Sequence, residues 1–426
     1  MNPTPVSTGV FYRINVFYVV EIRKSMNFIC KRTVFFTSII CLCVIVFNCC
    51  IYNNPQKKVT IASSNGEQYA GSEACRTCHS AICDSFKTTV HYLTSGIASK
   101  EYIKGSFAKN ENKFIYNDSM KVFMEERQTG LFQVAYINGK EERAQRFDIV
   151  IGSGKKGQTY LYWRGNELNQ LPVSYFANVH NWANSPGYPA TNILFDRNIE
   201  TRCMECHTTY TKDFMGGYLP NQIIYGVGCE RCHGPAAKHI EFHMENPQEK
   251  QGRFITNPAS LKRQQSLDLC ALCHSGVMRS MKPAFSFLPG DTLSNYFIKN
   301  SSGIDSFKLD VHANQYGLLT ASKCFRISGT ITCSSCHNIH VKESGNLIAY
   351  AKKCMNCHSQ TNHKQGTLQE ESQSFMMVNC VNCHMPVGAS KNLTLLVSGN
   401  ETPSPELVRS HLIAIYPLKK NKRSVK

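Results

Sequence analysis

The sequence is poor in acidic residues, and it contains no Cys-x-x-Cys pair that lacks a His directly after it. Its 426 residues include 30 Asp and Glu against 47 Lys and Arg, which gives a formal net charge of +17. That balance, taken alone, favours nucleic acid or an anionic surface as a partner. Zinc knuckles use Cys-x-x-Cys pairs but do not require His at the fifth position, so the absence of unaccompanied pairs disfavours zinc.

The pentapeptide Cys-x-x-Cys-His occurs seven times. It is the attachment signature of c-type haem: two thiols one helical turn apart bond to the porphyrin vinyl groups, and the adjacent His binds the iron. The sequence therefore predicts seven covalent haem c groups with their irons. The predicted thioether residues are Cys75, Cys78, Cys203, Cys206, Cys229, Cys232, Cys270, Cys273, Cys333, Cys336, Cys354, Cys357, Cys380 and Cys383. The predicted proximal iron ligands are His79, His207, His233, His274, His337, His358 and His384.

Seven haems would alter the net charge of the protein and would leave few cysteines to be explained. Two propionates on each haem would offset most of the positive charge, so we expect no nucleic-acid partner. Only Cys83 and Cys324 lie outside both the motifs and the N-terminal apolar segment. They either form a disulfide or remain buried free thiols, the commoner fate of a lone Cys in a core.

Residues 1–50 are predicted to be a signal or lipoprotein signal, with an uncleaved anchor as the alternative. A basic pair, Lys31-Arg32, precedes an apolar run from Thr33 to Phe47 that is short for a membrane span and about right for a secretory signal. Cys49-Cys50 follows and offers a site for lipidation. The sequence thus predicts export to the periplasm or the outer membrane surface, with cleavage near residue 48, and residues 51–68 as a linker.

The longest interval between motifs predicts an antiparallel β insertion without haem over residues 100–178. Short β-prone runs there are separated by turn signals such as Asn138-Gly139. The remaining divisions are a first haem unit at 69–99, motifs 2–4 at 179–300, motifs 5–7 at 301–390 and a C-terminal segment with a basic tail at 391–426. The predicted β runs are Phe114 to Tyr116, Lys121 to Met124, Phe132 to Ile137, Phe147 to Ile151 and Thr159 to Trp163.

Eight His residues remain for the far side of seven irons. A haem with two His ligands is closed on both faces and carries electrons, whereas substrate chemistry needs an open face. His340 lies three residues after His337, too near to reach the far face of the same iron, so we expect it to serve a neighbouring haem. His239, six residues after His233, has the same constraint. The eight are His91, His180, His239, His243, His312, His340, His363 and His411.

The order of several motifs resembles the multihaem cytochrome c family grouped with cytochromes c-554 and c-552, in particular exported members with a β insertion. The matching stretches cover roughly residues 66–416. They are Tyr69-Ala-Gly-Ser-Glu-Ala-Cys75, Gly152-Ser-Gly-Lys-Lys-Gly-Gln-Thr-Tyr-Leu161, Ser185-Pro-Gly-Tyr188, Gly226-Val-Gly-Cys-Glu-Arg-Cys-His-Gly-Pro235, His312-Ala-Asn-Gln315, Ser322-Lys-Cys-Phe325, Thr332-Cys-Ser-Ser-Cys-His-Asn-Ile-His340 and Cys383-His-Met-Pro386.

The resemblance implies a mainly α, loop-rich haem scaffold with the β insertion between the first and second motifs. It also implies redox function, with five residues matching distal iron ligands: His91, His239, His312, His340 and His411. His180, His243 and His363 match less well. No Cys-x-x-Cys-Lys motif is present, which argues against the pentahaem ammonia-forming nitrite reductases, and nothing matches the tyrosine-crosslinked haem of hydroxylamine oxidoreductase.

Three functions follow as hypotheses. The first is an exported electron-transfer cytochrome that exchanges electrons with other redox proteins. A lipid or an uncleaved signal segment would anchor this cytochrome to the membrane, if it is anchored. The second is an enzyme that acts on a small nitrogen or sulfur compound, such as nitrite or hydroxylamine, at one five-coordinate haem, with His180 or His243 as a proton donor. The third is a binding module in which the β insertion recognises a partner.

Overall fold

The computed structural model describes residues 60–276, 278–298, 314–343, 345–359, 378–400 and 402–416, and these belong to one compact unit. The predicted signal segment, His312, His363 and the basic tail lie outside the described residues. The helices are α1 (Ser72–Phe86), α2 (Thr201–His207), α3 (Cys229–His233), α4 (Ala237–Glu245), α5 (Arg263–His274), α6 (Gln315–Ala321), α7 (Lys323–Ser328), α8 (Leu347–Met355) and α9 (Cys380–His384).

Strands contribute about as many of the described residues as helices do. They are β1 (Ser95–Ile97), β2 (Lys113–Ile115), β3 (Met120–Arg127), β4 (Gly130–Ile137), β5 (Lys140–Arg146), β6 (Ile149–Ile151), β7 (Gly157–Arg164), β8 (Glu167–Gln170), β9 (Val173–Phe176), β10 (Asn181–Asn184), β11 (Arg197–Asn198), β12 (Thr208–Phe214), β13 (Gly217–Tyr225), β14 (Arg279–Ser280), β15 (Phe297–Ile298), β16 (Val387–Leu395) and β17 (Ser404–Arg409).

All pairings between named strands are antiparallel. A seven-stranded sheet contains β1 and β6 to β11, and a four-stranded sheet has the order β2-β3-β4-β5. Three two-stranded sheets, β12-β13, β14-β15 and β16-β17, lie outside this region. The expectation of a mainly α scaffold is therefore wrong: the fold is mixed, because long hairpins also form after the second and seventh motifs.

All five predicted β runs overlap strands in the stretch between the first two motifs. The predicted Asn138-Gly139 turn joins β4 to β5, and both residues have positive φ, 52° and 76°. This is the backbone of a type I′ turn, whose twist matches that of a hairpin and which Asn-Gly adopts at little cost.

Trp182 is fully buried at the centre of the β region. Its indole Nε1 donates to the Ser106 carbonyl at 2.9 Å, and its ring packs against Phe107, Phe147 and Tyr160. Gly105 is required beside it, because a Cβ there would lie 2.2 Å from the indole ring.

A second core connects the seven-stranded sheet to the second motif. Met204, an inner residue of Cys-Met-Glu-Cys-His, is buried against Ile149, Leu161 and Leu168. A third core buries Ala271 and Leu272, the inner residues of the fourth motif. The apolar residues between the paired cysteines thus fix the motifs onto the rest of the fold.

Candidate haem-binding site

Each described motif forms a helical turn. The second, third, fourth and seventh motifs end the helices α2, α3, α5 and α9, and the first lies inside α1. In the fifth and sixth, the same turn is closed by the His337 and His358 amides, which donate to the carbonyls of Cys333 and Cys354 at 2.9 and 3.0 Å. The two thiols of a motif are therefore one turn apart, as attachment to two vinyl groups requires.

Several of the predicted proximal imidazoles have a hydrogen-bond partner at Nδ1. His233 and His384 lie 2.9 Å from the carbonyls of Thr256 and Ala414, and His274 Nδ1 lies 3.2 Å from Gln315 Oε1. A ring that donates from Nδ1 leaves Nε2 unprotonated, which is the form that binds iron. These contacts orient the ring and select its tautomer.

Three pairs of His rings from distant parts of the chain face one another. The ring centroids are 6.1 Å apart for His91 and His274, and 6.2 Å apart for both His233 with His340 and His337 with His411. An imidazole nitrogen binds a metal at about 2 Å and the ring centre lies about 1 Å behind it, so two rings on opposite sides of one iron have centroids about 6 Å apart. The pairs therefore have the separation that an iron between them needs.

Desolvation favours the neutral form of several of these rings. Desolvation lowers the pKa of His91, His207 and His411 to about 4, and it also lowers the pKa of His233, His274 and His337. Neutral imidazole is the iron-binding form, so the rings are ready to bind iron at physiological pH. The buried Nδ1 of His411 lacks a hydrogen-bond partner within the described residues.

Thiols of different motifs contact one another. Cys75 interacts with Cys229, Cys206 with Cys273, and Cys270 with Cys333. The neighbouring Cys75 lowers the pKa of the Cys229 thiol, and the neighbouring Cys273 lowers the pKa of Cys206. The contacts join motif 1 to motif 3, motif 2 to motif 4 and motif 4 to motif 5.

Two buried carboxylates between paired cysteines were missed by the sequence analysis. Glu230 Oε1 accepts from the amides of Ala70 and Ala236, and its Oε2 accepts from Gly71, each at 2.8 Å. Glu205 is fully buried in the second motif. The Glu residues in Cys-Met-Glu-Cys and Cys-Glu-Arg-Cys could have predicted these sites. A carboxylate inside a motif needs either hydrogen-bond partners in the protein or contact with solvent.

The other described candidate His residues are not members of the three pairs. His239 Nδ1 lies 2.8 Å from the Arg253 carbonyl, which leaves its Nε2 available for iron. His243 Nε2 instead accepts from the Arg253 amide at 3.3 Å. His180 is exposed in a turn with φ 49° and makes no hydrogen bond or ring contact within the described residues.

Neither of the two extra cysteines is in a disulfide. Cys83 is buried near Cys229, whereas Cys324 lies near Cys336 and Cys354. The two thiols therefore belong to different motif clusters, as free thiols.

Within the part of the chain that the structure describes, no three His, Cys, Asp or Glu side chains gather to hold a metal ion directly. None of the helices described is both long and apolar enough to cross a bilayer. A groove of about 480 Å³ opens on the β region, where Lys100, Arg127 and Asp148 are among its lining residues.

Parts of the chain are similar to known cytochromes. Residues 183–234, which include the second and third motifs, match the model of the cytochrome c554 and c-prime family. The C-type polyheme cytochrome OmcC of Geobacter sulfurreducens (strain ATCC 51573 / DSM 12127 / PCA) is 23% identical over 220 residues, or 48% of this chain. That match spans only 22% of the length of OmcC.

The fold is similar to that of a solved structure. The crystal structure of the outer cell wall cytochrome OcwA covers 81% of this chain and 79% of its own, with a TM-score of 0.51 and 19% identity. The undecaheme cytochrome from the S-layer of Carboxydothermus ferrireducens covers 80% and 54%, with a TM-score of 0.37 and 16% identity. The mixed fold is thus similar to that of OcwA, and residues 183–234 are a cytochrome c554-like segment.

Proposed function

We propose that this chain is an exported c-type cytochrome that binds seven covalent haems and passes electrons along them between a donor and an acceptor protein. The observation that carries the proposal is the set of three imidazole pairs with centroids 6.1–6.2 Å apart. A pair of His ligands closes both faces of an iron, and such a haem supplies one-electron transfer rather than substrate binding.

The arrangement of the chain's own residues favours transfer between motifs. His91 follows motif 1 but faces motif 4, His340 follows motif 5 but faces motif 3, and His411 follows motif 7 but faces motif 5. Each distal residue therefore ties two motif-bearing segments together. The thiol contacts between motifs 1 and 3, 2 and 4, and 4 and 5 support short paths among the attached groups.

Export is a second component of this proposal. It is supported by the signal-like segment from Lys31 to Phe47, by the attachment chemistry, which takes place on the exported side of the membrane, and by the OcwA name, which places that protein in an outer cell wall. Redox partner proteins and a lipid anchor at Cys49 or Cys50 belong to the same proposal.

Haem stoichiometry tests the proposal. Pyridine haemochrome analysis and intact mass of the protein, made in a host that matures haem c fully, should give seven haems per chain. Five or fewer haems, or bound zinc, would contradict it. When the dithionite-reduced protein is mixed with a one-electron oxidant, the whole haem population should then be reoxidised at one rate. A set of isolated haems would be reoxidised at several rates.

A second candidate function, catalysis at an open haem, is favoured by the surroundings of His207. This ring is half-buried, its Nδ1 lies 3.2 Å from the Thr94 hydroxyl, and no second imidazole faces it within the described residues. Carbon monoxide or cyanide should then shift the Soret band of a minor fraction of the haem, and the ferric spectrum should include a high-spin signal. A wholly low-spin spectrum without ligand binding would remove the basis for an enzyme and leave the electron carrier.

A further inference from the structure

Arg202 lies directly before the second motif and contacts two motifs at once. Its Nη1 donates to Glu205 Oε2 at 3.0 Å and lies 3.2 Å from Cys206 Sγ. Its Nη2 donates to the carbonyl of Leu272, between the cysteines of the fourth motif, at 2.9 Å. The guanidinium also lies 4.7 Å from the centre of the Phe297 ring. One planar side chain therefore bridges motifs 2 and 4.

The charges around Arg202 are unbalanced. Glu205 is fully buried, and its carboxylate also accepts from the Phe285 amide at 2.9 Å. Arg231, from the third motif, lies 3.7 Å from the same carboxylate with its side chain 8% exposed, and its buried Nε has no hydrogen-bond partner within the described residues. Two guanidinium groups thus share one carboxylate, which leaves a net positive charge beside the thiols of Cys206 and Cys273.

We propose that Arg202 is a positioning residue that locks the second and fourth motifs together and holds a partly buried positive charge at the Cys206 thioether, where it raises the reduction potential of the attached haem. The inference rests on the proposed function, because it requires haem at these motifs.

The physical reason is electrostatic. Reduction adds one electron to a ferric iron and removes one positive charge from the site, so a nearby fixed cation favours the reduced form. The side chains of Arg202 and Arg231 are 23% and 8% exposed, so solvent and salt screen this charge less than they screen a surface charge. The planar fork of Arg can reach Cys206 Sγ and the Leu272 carbonyl together, which a Lys ammonium cannot do.

The test compares Arg202→Gln and Arg202→Lys with Arg164→Gln in the haem-loaded protein. Arg164 is a matched control, because it forms an ion pair with Glu167 at the same i,i+3 spacing but is 53% exposed on the β region. Redox titrations followed by visible and electron paramagnetic resonance spectra, at low and high salt, give the haem potentials. Haem content and denaturant unfolding are measured on the same samples.

We expect Arg202→Gln to move one or two haem transitions to lower potential at both salt concentrations and to leave the others in place. Arg202→Lys should keep the potentials but lower the free energy of unfolding, and Arg164→Gln should titrate like the wild type. Unchanged potentials in a fully loaded Arg202→Gln protein would overturn the inference. If Arg202→Gln does not fold, the test rests on Arg202→Lys. Lowered haem potentials in that variant, or an unchanged free energy of unfolding, would overturn the inference. A wild-type protein without haem at these motifs would instead refute the proposed function.

Discussion

His340 shows how far a single residue can be assigned from the sequence. Its closeness to His337 excluded the iron of its own motif, and in the structure its ring faces His233 of the third motif. Replacing His340 with Ala should therefore open one face of the iron at His233. We expect a new carbon monoxide-sensitive fraction of the Soret band of about one haem, together with a new high-spin ferric signal.

The matched control for this substitution is His180→Ala, because His180 is exposed and has no ring contact in the described part of the chain. It should leave carbon monoxide binding at the wild-type level. If His340→Ala bound no more carbon monoxide than His180→Ala, the pairing of His340 with His233 across an iron would be wrong.

Glu230 gives a second prediction at the residue scale. The Glu230 carboxylate accepts hydrogen bonds from three amides, and Glu230→Gln replaces one of its two acceptor oxygens with an amide nitrogen. The free energy of unfolding should therefore fall by about 1–3 kcal/mol. Desolvation raises the pKa of this carboxyl above its ordinary 4.5, despite three amide donors that lower it. Ionisation is therefore harder in the folded state than in the unfolded state.

The sign of the pH dependence follows from that shift. Because the folded-state pKa is the higher one, the wild type is favoured most below pH 4.5, and this advantage decreases as the pH rises through the folded-state value. The difference in unfolding free energy between wild type and Glu230→Gln should narrow over that range. Urea unfolding of both proteins across the range measures it, and a difference that widens with pH would contradict the prediction.

At the scale of elements, sequence patterns located the strands between the first two motifs but not the later hairpins. The run Phe132 to Ile137 and the Asn138-Gly139 turn are local signals, and they predicted β4 and its turn into β5. The β12-β13 hairpin has a weaker signal in the local sequence. The side chains of β12, from Thr208 to Phe214, change from buried to exposed along the strand and do not alternate, so the strand depends on its pairing with β13. The mainly α expectation failed because cross-strand pairing depends on such non-local contacts.

The contact between Gly105 and Trp182 tests the core of the β region. Gly105→Ala would place a methyl group 2.2 Å from the indole, and overpacking of this kind costs about 1–3 kcal/mol. Combining it with Trp182→Phe, which makes room, should cost less than the sum of the single substitutions. Denaturant unfolding of the four proteins measures the coupling, and simple additivity would show that the two residues do not compete for space.

At the scale of the whole molecule, the order of motifs along the chain differs from their neighbourhood in space. Motif 4 contacts motif 2 through Cys273 and Cys206 and motif 5 through Cys270 and Cys333, and it receives His91 from the segment after motif 1. Sequence spacing identified the motifs and the family resemblance suggested the candidate distal ligands, but neither could assign partners. Those depend on how segments separated by 63 to 183 residues fold back on one another.

The N-terminal segment gives the last prediction, which concerns the fate of the whole chain. A basic pair followed by the apolar run from Thr33 to Phe47 and then Cys49-Cys50 should direct export and cleavage near residue 48. Mass spectrometry of the mature N-terminus should find residues 1–48 removed, with an added lipid mass if Cys49 or Cys50 is acylated. Replacing both cysteines with Ser should abolish that mass and leave the haem content unchanged, because neither belongs to a Cys-x-x-Cys-His motif. Recovery of the intact segment on soluble cytoplasmic protein would contradict export, and with it the route by which the seven motifs receive their haem.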